Sequence, residues 1–166
     1  MKVKGNLFIP SKVRYVRGEK PNVDCILCAI REKDKKVESL EICRTSQFCI
    51  CANLYPYNPG HIMIFPLRHI EDIREMKKKE AEELFTLEII SLEILDEVFK
   101  PHGYNIGYNL GPCGGNSIKH LHQHIVPRFS NELGFVDVIT ASRIIVDDPR
   151  HSLSKLKTLY AAKLKK

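Results

Sequence analysis

The sequence predicts an α+β fold in which an antiparallel β-sheet of about five strands packs with one long helix and a C-terminal helix. Short β-prone segments follow one another in adjacent pairs, and one long stretch of helical periodicity is inserted between them. The 166 residues are 43% hydrophobic and 28% charged, as is usual for a globular protein. We expect a single domain over 1–166, with an arm at 1–24, a core at 25–146 and a helix at 150–166.

Five segments are predicted as strands from their apolar alternation and from the turn residues between them. The connection at 55–60 is rich in proline, asparagine and glycine, which favours a turn between the second and third strands. Residues 135–146 are apolar but fit neither a strand nor a helix pattern clearly. The predicted strands are 37–42, 47–54, 61–66, 104–110 and 119–128.

The long helix is predicted over 77–100, and Pro101 and Gly103 end it. At about 100° per residue its apolar side chains form one stripe, which indicates packing against a core. The stripe consists of Ala81, Leu84, Phe85, Leu92, Leu95 and Phe99. A second amphipathic helix is predicted over 152–166, and a short helix is expected to open near Cys25.

Charge and composition limit the compartment and the partners. The net charge of +6 favours anionic ligands but does not distinguish nucleotides, nucleic acids and acidic proteins. No apolar run approaches the roughly 20 residues that a membrane span needs, and the N-terminus lacks the apolar core of a secretory signal. We therefore expect a cytoplasmic protein with no membrane partner, and the six cysteines do not predict a disulfide framework.

The most informative pattern is three histidines, His120, His122 and His124, at alternate positions. In a strand, alternate residues point to the same face and lie roughly 6.6 Å apart. On a helix the same residues would fan over about 200°. Val126 and Pro127 favour the strand. The alternatives are a half-buried strand that happens to carry histidine, or a metal site built from all three imidazoles.

A glycine-rich loop precedes the histidines. Glycines at 111, 114 and 115 free the backbone for close approach to a ligand, and Asn116 and Ser117 add polar donors. This composition is typical of a phosphate site, although turn formation alone also explains it.

Two motifs resemble the histidine triad (HIT) superfamily. The sequence GGNSIKHLHQHIVPR at 114–128 is similar to its His-x-His-x-His signature and preceding loop. NLYPYNPGH at 53–61 and PHGYNIGYNLG at 101–111 resemble the diadenosine tetraphosphate phosphorylase branch, which is related to the fragile histidine triad hydrolases. The resemblance covers about 22–146. It implies the same α+β fold, a nucleotide substrate, and a homodimer whose protomers share a sheet.

The resemblance also implies residue roles. A neutral imidazole is a good nucleophile toward phosphorus, and roughly three quarters of a histidine with an ordinary pKa is neutral at pH 7. The catalytic residues are then His122, as the nucleophile that forms a nucleotidyl-histidine, and His124, which bonds around the α-phosphate and bridging oxygen. The expected substrate-binding set, in which His61 supports the triad, is Asn53, His61, Asn109, Gly115, Asn116, Ser117, Ile118 and His124.

A second site is expected at Cys25 and Cys28. Their C-x-x-C spacing suits a metal, but two thiols need two further ligands, and a redox dithiol is the alternative. Resemblance to zinc-containing branches of the superfamily adds His69 and His120. We therefore expect a structural Zn²⁺ on these four residues and no organic cofactor.

The predicted activity is cleavage of dinucleoside polyphosphates such as diadenosine tetraphosphate. Phosphate as final acceptor makes the enzyme a phosphorylase, and water makes it a hydrolase. The alternatives are a nucleoside phosphoramidase or adenylyl hydrolase of the same superfamily, and a non-enzymatic module that binds nucleotides or nucleic acid. Because the sequence carries no RNA-binding signature, a nucleic-acid partner is not expected.

Overall fold

The computed structural model describes residues 21–130 and 148–165 in full, together with the backbone of Asn6–Phe8 and Ser142–Ile144. Most of the predicted arm at 1–24 and most of the ambiguous segment at 135–146 lie outside these described residues. No helix in the described part of the chain is long and apolar enough to cross a membrane.

The described elements confirm the α+β class. The helices are α1 (Ile26–Glu32), α2 (Lys78–Phe99) and α3 (Pro149–Lys163). The strands are β1 (Asn6–Phe8), β2 (Glu41–Arg44), β3 (Phe48–Ala52), β4 (Ile62–Pro66), β5 (Gly103–Tyr108), β6 (Gln123–Arg128) and β7 (Ser142–Ile144). Five of them form one antiparallel sheet in the order β2-β3-β4-β6-β5, and β1 pairs with β7 in a separate parallel pair.

The two faces of the five-stranded sheet are covered differently. On one face, α2 and α3 pack over the central strands and bury Ile50, Ile64 and Ile125 beneath Leu87 and other helix residues. On the opposite face, the short α1 covers only part of the sheet. Because side chains alternate along a strand, β3 and β4 supply both cores and are buried along their whole length. The thinly covered face is the one that leaves room for a ligand.

Two predicted strands begin too early. The segment at 37–40 is not a strand, because the Val37 N–H donates to the Asp34 carbonyl in a turn, and β2 begins only at Glu41. Residues 119–122 also precede β6, since the Leu121 N–H donates to Ile70 O outside the sheet. Hydrophobic alternation continues through both segments, so the sequence pattern extends beyond the true pairing.

The predicted stripe of α2 is wrong at two positions. Ala81 is exposed and Phe85 is 63% exposed. The face toward the sheet carries instead Glu80, Leu84, Leu87, Ser91, Ile94 and Leu95. Two of these are polar but paired, since Glu80 bonds Arg68 and the Ser91 hydroxyl accepts from Tyr160 on α3. Polar residues that are satisfied inside a core do not show in a hydrophobic pattern.

Candidate active site and metal cluster

The histidine segment lies on the thinly covered face of the sheet. His124 pairs in register with Met63 of β4 and with Gly107 of β5, so its side chain projects on the same face as Met63. His122 stacks edge-on against it, with ring centroids 4.7 Å apart. His120 lies further back, 4.7 Å from the ring of His69. The three imidazoles thus lie along one face as the spacing predicts, although only His124 lies within a strand.

His120 belongs to a different cluster from the other two. One ligand atom from each of Cys25, Cys28, His69 and His120 lies within 4.8 Å of the other three. The Nδ1 atom of His120 is 3.5 Å from Cys25 Sγ and 3.6 Å from Cys28 Sγ, and His69 Nδ1 is 3.2 Å from Cys28 Sγ. Cys25 is also the N-cap of α1, which fixes both thiols at the start of a helix.

The donor set of this cluster fits a tetrahedral metal ion. Two sulfur and two nitrogen donors form a common structural zinc set. His120 Nε2 lies 2.9 Å from the Pro66 carbonyl and donates to it, which leaves the lone pair on Nδ1, the atom that faces the thiols. Such a second hydrogen bond is characteristic of metal-binding histidines. Burial and the neighbouring Cys25 raise the pKa of the Cys28 thiol to about 11, and metal binding would reverse this because it requires the thiolate.

His122 is oriented by the backbone. Its Nδ1 lies 2.7 Å from the carbonyl oxygen of His120, and since a carbonyl can only accept, Nδ1 carries the proton. The lone pair is then on Nε2. His122 is 5% exposed and lines the main cavity, so the lone pair belongs to a mostly desolvated ring. Burial lowers the pKa of His122 below its usual range, which keeps the ring neutral.

His61 and His124 are hydrogen-bonded to each other, and a backbone N–H group fixes the tautomers of both imidazoles. The Tyr57 N–H donates to His61 Nδ1 at 3.1 Å, so the His61 proton is on Nε2. That Nε2–H donates to His124 Nδ1 at 2.9 Å, which places the His124 proton on its own Nε2. Tyr57 also stacks on His61, with ring centroids 4.9 Å apart. His124 therefore presents an N–H donor, whereas His122 presents a lone pair.

The side-chain amide of Asn109 adds to this donor. Its Nδ2 lies 3.4 Å from His124 Nε2. Both atoms carry hydrogens, so they do not bond each other but converge as two donors. A pair of converging donors suits one oxygen of a phosphate. Burial, and then repulsion between the two rings when His122 is also protonated, lower the pKa of His124 to about 4, so the imidazole donates as a neutral group near pH 7.

A cavity of about 590 Å³ lies next to these histidines. Its inner wall is apolar and comes from α1, β3, β4 and the 37–40 segment, which suits a nucleoside. That wall includes Leu27, Ile30, Val37, Leu40, Cys51 and Met63. The rim carries Glu38, whose carboxylate accepts two hydrogen bonds from Arg150 of α3 at 2.6 and 2.8 Å.

Most of the predicted binding residues lie around this cavity. Asn53, Asn109, Gly115, Ser117, Ile118, His122 and His124 line it. Two do not. His61 is 1% exposed and lies behind His124, with its Nε2 2.9 Å from His124 Nδ1. Asn116 does not line the cavity, and its Oδ1 accepts from the Ile118 N–H, so its side chain shapes the loop.

Two functional candidates, Tyr57 and Cys51, were missed by sequence reasoning. Tyr57 lines the cavity and fixes His61 through its backbone, but its segment was identified only as a turn. Cys51 was expected to be a small core residue, and it is buried yet also lines the cavity wall. The only available signal was the alternation of β3, which puts Cys49 and Cys51 on the face opposite Ile50.

Comparison with known proteins identifies the family. The HIT domain family model matches residues 34–131, which is more than half of the chain. The chain belongs to the HIT domain family. Among curated relatives, a protein named AP-4-A phosphorylase from Mycobacterium tuberculosis is 35% identical over 125 residues, which are 75% of this chain and 64% of that relative. The chain therefore spans less than two thirds of that protein.

Two further matches agree with a HIT domain here. "Protein hit" from Bacillus subtilis is 31% identical over 113 residues, covering 68% of this chain and 76% of that protein. The crystal structure of a Zn-bound histidine triad family protein from Mycobacterium smegmatis superposes with a TM-score of 0.69 at 22% identity, covering 86% of this chain and 96% of that one. At this identity the structural match establishes the fold.

Proposed function

We propose that this HIT domain cleaves dinucleoside polyphosphates through a nucleotidyl-His122 intermediate. The observation that carries the proposal is the 2.7 Å bond from His122 Nδ1 to the His120 carbonyl, which puts the lone pair on Nε2 of a buried, neutral ring beside a cavity of nucleotide size. The relative named AP-4-A phosphorylase supports diadenosine tetraphosphate as the substrate.

The first step is an in-line displacement at the α-phosphorus. His122 Nε2 forms the P–N bond while the bond from phosphorus to the bridging oxygen breaks, and that oxygen leaves with the electron pair. Since the leaving nucleotide is an anion near pH 7, it needs hydrogen bonding more than a proton. His124 Nε2–H and the Asn109 amide are the donors in position to supply this.

The second step returns the enzyme to its starting state. An acceptor oxygen attacks the same phosphorus from the side that the leaving group vacated, the P–N bond breaks, and the electron pair returns to His122 Nε2. Phosphate as acceptor gives a nucleoside diphosphate, and water gives a monophosphate with release of the proton of the attacking water to solvent. The relative named AP-4-A phosphorylase favours phosphate.

The other predicted residues have binding roles in this scheme. We assign the loop residues Gly115, Ser117 and Ile118 to the phosphates, because they line the cavity next to the histidines. Asn53 is assigned to the nucleoside, and Asn116 is assigned to shaping the loop.

We also propose that Cys25, Cys28, His69 and His120 hold a structural Zn²⁺. The ion would supply cross-linking rather than catalysis, tying α1 to the segment that leads into β6. Because His120 also offers its carbonyl to His122, this cluster fixes the position of the nucleophile. The Zn-bound relative from Mycobacterium smegmatis supports the assignment.

We propose a homodimer as well. β5 is an edge strand of the sheet, and large apolar side chains lie exposed on it and on α2: Ile106, Phe85 and Ile89. An exposed edge with apolar neighbours favours pairing with another chain. Light scattering at micromolar concentration tests this, and a monomer there would contradict it. A cytoplasmic location remains a prediction that cell fractionation can check.

Incubation with diadenosine tetraphosphate and labelled phosphate tests the activity directly. Label in ADP, with ATP as the other product, indicates phosphorolysis, and unlabelled AMP indicates hydrolysis. Quenching in alkaline denaturant, where the P–N bond survives, should trap up to one nucleotidyl group per chain on wild-type protein and none on His122→Gln, and acid treatment should release it. Turnover without any trapped nucleotide in wild type, and unchanged in His122→Gln, would contradict the covalent route. Adenosine 5′-phosphoramidate, assayed in parallel, tests the phosphoramidase alternative.

A further inference from the structure

A second, more open cleft of about 440 Å³ adjoins the main cavity at His124. It is formed by β5 and β6, and three residues line both spaces: Tyr57, Asn109 and His124. His122 lines only the main cavity. The donor pair of His124 and Asn109 therefore stands at the junction of the two spaces.

The register of β5 and β6 explains the floor of this cleft. His124 pairs with Gly107, and Val126 pairs with Asn105, so these residues project on the same face. The Val126–Asn105 pair places two side chains on this face, whereas in the His124–Gly107 pair only His124 has one. A Cβ built at Gly107 would meet no atom within 4 Å, and its φ is not positive. Glycine at 107 is thus not required by backbone conformation, and its effect is to leave a trough open beside His124.

A cation lies at the far end of the trough. Arg128 follows His124 by four residues along β6, so their Cα atoms are about 13 Å apart on the same face. Its Nη1 donates to Asn105 Oδ1 at 3.2 Å, which directs the guanidinium over the cleft that both residues line. A guanidinium is well suited to phosphate oxygens because its planar N–H groups can bind two of them together.

The proposed chemistry requires a site in this position. In-line displacement sends the leaving group away from His122 Nε2, past the junction and toward the space that His122 does not line. For a dinucleoside polyphosphate that group is an anionic chain of several phosphates. His124 and Asn109 can donate to the first oxygen of that chain. Because the Cα atoms of His124 and Arg128 are about 13 Å apart, Arg128 is placed to contact the more distal phosphates rather than the α-phosphate.

We propose that this cleft binds the polyphosphate chain of the leaving nucleotide, with Arg128 contacting its distal phosphates. The proposal rests on the proposed function and deepens it, since it makes the enzyme selective for polyphosphate substrates over AMP conjugates with small leaving groups. Gly107 provides the room and Arg128 the charge.

Equilibrium binding tests this without turnover. In a His122→Gln background, dissociation constants are measured by calorimetry for AMP, ATP and diadenosine tetraphosphate. Adding Arg128→Gln should weaken diadenosine tetraphosphate about tenfold and ATP less, while AMP stays within twofold. Adding Gly107→Val should give the same ranking by filling the trough, in a residue type that strands favour. Arg74→Gln is the matched control, an exposed arginine paired with Asp72 and outside both spaces.

The binding results distinguish failure of the cleft proposal from failure of the proposed function. Equal weakening of all three ligands by Arg128→Gln would overturn the cleft proposal, as would no weakening of any. An effect on diadenosine tetraphosphate without any on ATP would also overturn it, because the contact would then be to the second nucleoside. Failure of AMP itself to bind would count against the proposed function instead. AMP binding with no gain from added phosphates would reject only the cleft.

Discussion

His120 and His124 are four residues apart on one face of the sheet, yet they lie in opposite chemical settings. His120 turns a lone pair toward two thiols, because its other nitrogen donates to the Pro66 carbonyl. His124 turns an N–H toward the cavity, because its other nitrogen accepts from His61. His122, between them, turns a lone pair toward the cavity. The partner of the second ring nitrogen, rather than the position in the motif, decides which end of each imidazole is available.

The largest expected effect is that of substituting His122, which should impair catalysis and leave the metal cluster intact. Replacing it with glutamine should lower kcat by at least about 10³-fold, because the covalent step loses its nucleophile. Bound zinc and the unfolding temperature should stay near wild type, since the side chains of the metal cluster are unchanged. Steady-state kinetics with metal analysis measure both. His151→Gln, an exposed histidine on α3, is the control, and a comparable loss of kcat there would argue against a specific role.

The converse change is at the metal cluster. Cys25→Ser with Cys28→Ser should abolish bound zinc and lower the free energy of unfolding by an amount of order several kcal/mol, because metal binding is coupled to folding. Activity should fall less than in His122→Gln, since the nucleophile remains. Elemental analysis and urea unfolding provide the readouts. Cys113→Ser, at an exposed thiol, should change neither. Wild-type protein purified without zinc yet equally stable would contradict the assignment.

His61 is expected to act through His124 rather than on the substrate. His61→Phe fills the space but removes the Nε2–H donor, so kcat should fall roughly 10- to 100-fold with little change in KM. His61→Gln keeps an N–H donor and should recover part of the loss. The pH dependence of kcat should also shift in His61→Phe, because the tautomer of His124 is no longer fixed. Equal losses in both variants with an unchanged pH profile would indicate a structural role only.

The smallest effect is on stability as pH falls. The pKa of His124 is about 4 in the folded chain and about 6.5 when unfolded, so between these values the unfolded state binds more protons. Stability is therefore complete above about pH 6.5 and decreases as pH falls toward 4, by about 2 kcal/mol at pH 5 from this group alone. Urea unfolding at pH 7.5 and 5 measures the difference. His124→Gln should reduce it, and a pH-independent free energy in wild type would refute it.

Local spacing predicts the fold class, the alternation of the histidines and the C-x-x-C pair, whereas His69 and His120 were added to that pair only through the family resemblance. The sequence does not predict the contact of Tyr57 with His61, nor the walls of the cavity, whose residues come from elements distant in the chain. The same limit explains why Phe85 was wrongly predicted to lie on the buried side of α2. Periodicity shows that α2 has an apolar side but not which angle faces the sheet, because buried Glu80 and Ser91 are satisfied by partners elsewhere.

The ion pair between Glu38 and Arg150 joins the last described helix to the rim of the main cavity. Truncating the chain before α3, or fusing a bulky tag close to it, would release that tether along with the buried Tyr160. Expression strategies that alter this end of the polypeptide are therefore expected to weaken nucleoside affinity, although none of the reacting groups lies there.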